Sequence, residues 1–252
     1  MTRKPATLYA AQTEGLTGPA PALVVCEHAS DAMPAEFADL GLSGDVLHSH
    51  VAWDPGALAL SRHLARALSA PLVAGTVSRL IYDCNRPPEA ADAVPARSEV
   101  YDIPGNQGLD AAARADRARR VYVPFCNAVE LALDTACPKA LITVHSFTPV
   151  YFGQPRPVEI GILHDADPRL ADALLQALED SPHDIRRNAP YGPEDGVTHT
   201  LKARALPRGL LNVMLEVRND LLADADGIAR IGALLAPALR AALAAAQTER
   251  AG

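Results

Sequence analysis

Three apolar runs in this chain end in residues that can bind a metal or move a proton. ALVVCEHAS, residues 22–30, delivers Glu27 and His28, and ALITVHSFTP, residues 140–149, delivers His145. LLNVMLEVRND, residues 210–220, delivers Glu216 and Arg218. A strand that ends in such a residue sets it at the rim of a sheet, where α/β proteins build their sites. Two histidines and a glutamate carried out on three strands point to metal-assisted hydrolysis. The histidines would be ligands, and the carboxylate the base that takes a proton from water.

A catalytic zinc site takes three protein ligands and keeps a fourth position for water. His28 and His145 supply two. For the third, Asp31 lies three residues after His28, a spacing that can reach the same metal, and Asp54 stands at the start of a following helix. Either aspartate could instead cap a helix. Glu27 is a weaker choice, because adjacent residues of an extended strand point to opposite faces. Glu216 also has a plain alternative, an ion pair with Arg218, Arg79 or Arg86.

SRLIYDCNRPP, residues 78–88, brings Arg79, Asp83, Asn85 and Arg86. The planar fork of arginine suits a carboxylate, and Asn85 beside Arg86 makes a pair able to hold the carboxylate of an amino acid. Most of the other histidines, His48, His50, His63, His164 and His183, read as non-ligands. His199 could fall near the site through the turn at residues 196–198. The chain has no GxSxG elbow, P-loop or dinucleotide glycine fingerprint, so serine-hydrolase and nucleotide-binding readings lack support.

Positioning these residues takes alternating strands and helices. Strands are expected over residues 22–27, 71–74, 78–84, 140–144, 158–163 and 211–217, with a short one at 184–187. Helices are expected from Asp54-Pro55-Gly56 through ALALSRHLARAL, and over residues 109–136, 167–178 and 198–205. A closing Ala-rich helix should run to residue 248, capped by Asn219 or Asp226. Residues 87–108, rich in Pro and Ala, read as a long surface loop of the kind that often serves as a lid. The alternation predicts an α/β fold, a mostly parallel mixed sheet flanked by helices.

At 252 residues, with no linker, repeat or low-complexity block, the chain reads as a single domain over residues 1–252. Its formal charge of −7 and lack of a basic run argue against a nucleic-acid partner. Its four cysteines form no CxxC pair and read as free, mostly buried thiols in a reducing cytoplasm. No secretory leader is expected at the N-terminus. No apolar run reaches roughly 18 residues, so no membrane span is expected either.

Six segments, CEHASDAMP, WDPGA, SRLIYDCNRP, VHSFTP, NAPYGPEDGVTHT and LEVRNDL, occur in this order between about residues 20 and 245. Together they resemble the N-formylglutamate amidohydrolase family, in particular its branch of predicted members. That family is similar in turn to zinc carboxypeptidases and aspartoacylases, whose fold the resemblance implies here. It also implies a bound Zn2+, or another divalent metal, held by His28 and His145. Asp54 is preferred to Asp31 as third ligand, with residues 31–53 as an insertion. By the same resemblance Glu216 is the general base, Arg79 polarises the scissile carbonyl, Asn85 and Arg86 hold the substrate carboxylate, and Tyr191 closes over the substrate.

The implied substrate is a small-molecule N-acyl amino acid, foremost N-formyl-L-glutamate, cleaved to L-glutamate and formate. A glutamate side chain would call for a second cation, for which Arg156, Arg204 and Arg218 are candidates. Other N-acyl amino acids or small peptides are alternatives, as is a non-catalytic or regulatory metal-binding protein on a hydrolase-like fold. A metal-free esterase ranks last, for want of a nucleophile elbow.

Overall fold

Apolar runs too short for helices become the strands of one sheet. The computed structural model describes residues 7–248. Seven strands form the sheet: β1 (Gln12–Glu14), β2 (Ala22–Cys26), β3 (Leu72–Ala74), β4 (Ala140–Phe147), β5 (Ile160–Leu163), β6 (Ile185–Arg187) and β7 (Leu211–Arg218). Their spatial order is β1-β3-β2-β4-β7-β5-β6. β3, β2, β4 and β7 are mutually parallel, and β6 is parallel to β5. β1 runs antiparallel to β3, and β5 antiparallel to β7. The fold is therefore the expected single α/β domain with a mostly parallel mixed sheet.

Of the helices α1 (Ala57–Leu68), α2 (Ala111–Arg117), α3 (Val123–Ala136), α4 (Arg169–Ala177) and α5 (Ala225–Thr248), all but α2 pack into the cores on the sheet, and the short α2 leads into α3. A wide turn, Ala118–Tyr122, joins α2 to α3. Side chains alternate across each strand, so the central strands feed two cores. On one face Val24, Ile142 and Val213 pack with Leu60 and Leu64 of α1, Leu174 of α4 and Leu235 and Leu239 of α5. On the other, Leu23, Val25, Leu141 and Met214 pack with Phe125, Val129 and Leu133 of α3. Burying one such aliphatic side chain contributes about 1.5–3 kcal/mol.

Several expectations need correction. Residues 78–84 form no strand but a buried irregular turn. Leu80-Ile81-Tyr82 is apolar enough for a strand, yet the polar residues around it bind locally. Ser78 Oγ donates to Ala52 O and accepts from Leu80 N, while Asp83 accepts from Asn85 N. Such side-chain bonds to backbone compete with a strand ladder. Asp54 does not cap α1, whose N-cap is Gly56. Neither Asn219 nor Asp226 caps α5; Asp224 does, accepting from Gly227 N at 2.7 Å. Residues 87–108 are a loop as expected, but one that includes the hairpin of Arg97–Ser98 with Tyr101–Asp102.

Ala225–Ala246 of α5 is long and apolar enough, by length and composition alone, to cross a membrane, although no uninterrupted apolar run of that length is expected from the sequence. In the fold Ile231, Leu235, Leu239 and Leu243 of this helix are buried in the core, which accounts for its apolar character. All four cysteines are free; Cys26 and Cys84 are buried, whereas Cys137 is exposed.

Candidate metal centre

The register of the central strands assembles the polar cluster. Glu216 on β7 lies directly beside His145 on β4. Facing residues of paired strands project from the same side of the sheet. β2 ends at Cys26 and the chain turns there, so Glu27 and His28 both reach the cluster. Glu27 Oε2 lies 3.1 Å from His145 Nε2, and His28 Nε2 lies 2.7 Å from Asp83 Oδ1. Asp54 is drawn in by its backbone, whose N–H donates to His28 O at 3.0 Å.

Three atoms converge. His28 Nδ1 and His145 Nδ1 are 3.2 Å apart, and Asp54 Oδ2 lies 3.2 Å from the first and 2.9 Å from the second. A tetrahedral zinc with bonds of about 2.0–2.1 Å holds its ligand atoms about 3.3 Å apart. A carboxylate lies near the far nitrogen of each imidazole: Asp83 is hydrogen-bonded to that of His28, and Glu27 lies 3.1 Å from that of His145 without hydrogen-bond geometry. Metal-bound histidines usually have such a partner, because it fixes the tautomer that leaves the near nitrogen's lone pair free. With a proton on each Nε2, His28, His145 and Asp54 present three acceptors to one point and no donor. A divalent cation fits that donor set, and His28, Asp54 and His145 are the group able to hold one among the described residues.

The electrostatics agree. His28, Asp54, His145 and Glu216 are 3%, 2%, 1% and 4% exposed, so their charges must be balanced within the cluster. Burial opposes charge on His28 and His145, but Asp83 and Asp54 beside the first, and Glu27 and Asp54 beside the second, outweigh it. Both imidazoles therefore hold a proton more tightly than free histidine. Burial likewise opposes ionisation of Asp54, and the two histidines overcome it, holding its carboxyl below the usual range. Glu216 goes the other way: burial pushes it up to about 7. Its Oε2 is buried without a hydrogen-bond partner.

A cavity of ≈ 180 Å³ opens beside this cluster. It is bordered by His28, Asp54, His145 and Glu216, and also by Arg79, Asn85, Arg86 and Tyr191. The eight residues to which the resemblance assigned roles, with Asp54 preferred to Asp31, thus border one space. Arg79 reaches Asp83 at 2.7 Å and Asp54 at 3.4 Å. Asn85 donates to Val197 O and accepts from Thr200 N, which ties residues 197–200 to this wall and leaves one amide hydrogen. Arg86 pairs with Asp92 at 2.6 Å and donates to Gly196 O. Burial raises the Tyr191 hydroxyl to about 12, so it stays protonated.

Two candidates fall outside the cluster. The Asp31 carboxylate pairs with His48, an exposed side chain, at 2.6 Å. His199 bonds to Tyr122 instead of the site. Sequence reasoning gave no role to Asp83, although it binds His28, Arg79 and the Asn85 backbone at once. Its place in DCNR, two residues before Asn85, was the available signal. His50 and Glu99, paired at 2.7 Å on the cavity rim, carried no signal at all.

A model of the N-formylglutamate amidohydrolase family matches residues 20–223. The chain belongs to the N-formylglutamate amidohydrolase family. All eight cavity residues named above lie inside the matched segment of this amidohydrolase. No match was found among curated proteins. Among solved structures, this amidohydrolase is similar to a gene product from Agrobacterium tumefaciens. Identity is 52%, over 95% of this chain and 96% of that chain, with a TM-score of 0.91. A protein provisionally named carboxypeptidase A from Shewanella denitrificans matches at 14% identity over 92% of this chain and 64% of that one, TM-score 0.43. A metallo-carboxypeptidase from Burkholderia cenocepacia matches at 16% identity over 95% and 65%, TM-score 0.40.

Proposed function

We propose that the protein is a zinc-dependent hydrolase of N-acyl amino acids whose principal substrate is N-formyl-L-glutamate. The observation that carries this reading is the meeting of His28 Nδ1, His145 Nδ1 and Asp54 Oδ2 beside Glu216, whose buried Oε2 has no hydrogen-bond partner. In this reading His28, Asp54 and His145 hold the metal. Bound there, zinc would supply a Lewis acid, lowering the pKa of water and drawing electrons from the scissile carbonyl.

The chain's own residues do the rest. Glu216 takes a proton from the attacking water and returns it to the departing amine nitrogen. Its burial suits the role, because a carboxylate with a pKa raised toward neutrality is a stronger base. Arg79 is held against Asp54 and Asp83 and still borders the cavity, where it offers charge to the carbonyl oxygen as that oxygen becomes negative. Arg86, with the free amide hydrogen of Asn85, holds the α-carboxylate of the amino acid. Tyr191, kept protonated, borders the same cavity and donates to the substrate.

Formate release from N-formyl-L-glutamate by purified protein tests the reading. Release that a chelator abolishes and added zinc restores is the expected result. Zinc-loaded protein that hydrolyses no N-acyl amino acid across acyl groups and side chains would overturn it.

A further inference from the structure

Two guanidiniums border the cavity, and both are already neutralised. Arg79 pairs with Asp54 and Asp83, and Arg86 with Asp92. A third, that of Arg156, does not itself border the cavity but packs against three of its aromatic lining residues. Its Cζ lies 4.2 Å from the ring centroid of Tyr151, 4.8 Å from that of Tyr191 and 5.6 Å from that of Phe147. All three rings border the cavity. Among the described residues Arg156 has no carboxylate partner, and its Nη1 is buried with no hydrogen-bond acceptor.

Aromatic faces hold a guanidinium in place without neutralising its charge, and although Arg156 also bonds to the Tyr191 hydroxyl, its Nη1 stays without an acceptor. A buried donor left unmet is unfavourable, and a functional ligand is one of the few reasons for it. Other arginines do not compete for that ligand. Arg204 is paired with Glu130, and Arg218 with Glu159 and Asp220. The backbone explains why Arg156 stands here. Val150–Tyr151 and Gln154–Pro155 form a hairpin closed by Arg156 N donating to Pro149 O, which folds Arg156 back toward Tyr151.

We propose that Arg156 supplies the positive charge that selects an acidic side chain, and so determines the specificity of this site. The inference rests on the reading of the site as one for N-acyl amino acids. A substrate with two carboxylates then meets a separate guanidinium for each, Arg86 for the α-carboxylate and Arg156 for the side chain. A neutral side chain leaves Arg156 uncompensated.

The test compares N-formyl-L-glutamate with N-formyl-L-glutamine, nearly equal in shape, on wild type, Arg156→Gln and Arg156→Lys. Binding of L-glutamate and L-glutamine to the same zinc-loaded proteins is measured by calorimetry. Wild type should prefer the acidic substrate about 10- to 100-fold, the range of a charge-assisted contact. Arg156→Gln should lose that preference through a raised KM for N-formyl-L-glutamate, with the glutamine substrate little changed. Arg156→Lys should keep part of it, and it decides the matter should Arg156→Gln fail to fold. Equal losses on both substrates, or an unchanged preference, would overturn the proposal and leave Arg156 a structural prop of the aromatic wall. If wild type hydrolyses neither substrate, calorimetry still separates the two ideas. Preferential binding of L-glutamate that vanishes in Arg156→Gln would keep the charge selection while sinking the hydrolase reading. Equal binding of both amino acids by wild type would overturn the charge selection itself.

Discussion

Asp54 and Glu216 are both buried carboxylates of one cluster, and their surroundings drive them apart. The two histidines hold Asp54 ionised, as a ligand must be, while burial pushes Glu216 up to about 7, as suits a base. Only ionised Glu216 can accept a proton, so kcat/KM should rise with pH through its pKa. A bound cation stabilises the carboxylate, so the acid limb should lie below 7 in the zinc-loaded protein. Glu216→Gln should lower kcat by about 10²–10⁴-fold and remove that limb while zinc is retained. Full activity in this variant would refute the assignment. Because His28 and His145 hold protons tightly, zinc must displace them, and its affinity should climb with pH. Calorimetry in buffers of different ionisation heat would detect the released protons, and none would be seen if zinc bound elsewhere. Asp54→Asn should lose zinc and Asp31→Asn keep it; the reverse result would restore Asp31 as ligand.

At the scale of elements, close backbone approach sets the cluster. A Cβ on Gly75, just after β3, would come within 2.2 Å of Glu27 O, and one on Gly161 of β5 within 2.1 Å of Ala189 O. The first glycine lets the Glu27–His28 turn settle, and the second lets residues 189–191 lie over β5 beside Glu216. Gly75→Ala should therefore cost about 1–3 kcal/mol of stability and weaken zinc binding. Gly44→Ala, with open space around it, should do neither. Thermal melting with a zinc titration checks both. β2, β4 and β7 were legible in the sequence because they are continuous apolar runs ending in polar residues. β1 was not: Gln12–Glu14 is a polar three-residue edge strand created by pairing with β3, a tertiary effect without local signature. The turn at residues 78–86 was legible in its chemistry and misread in its shape, since Ser78 and Asp83 overrule the apolar residues between them.

At the scale of the molecule, the C-terminal ends of the central strands and the segments beside them gather residues from positions 28 to 216 of the chain into one cavity. Their types could be read from the sequence; their partners could not. That His28 faces Asp83, or that Arg156 lacks a carboxylate among the described residues while Arg204 and Arg218 have theirs, depends on contacts spanning many tens of residues. The apolar composition of α5 shows a related limit, since a helix buried in a core and one buried in lipid read alike until its packing is known. The central claim is that one metal ion, held by His28, Asp54 and His145, makes this fold a hydrolase. The most direct measurement is a zinc titration of metal-stripped protein, followed by formate release from N-formyl-L-glutamate. The account predicts no turnover at the start, then a linear rise that breaks at one zinc per chain. Turnover independent of zinc, or a zinc-saturated protein that releases no formate, would contradict it.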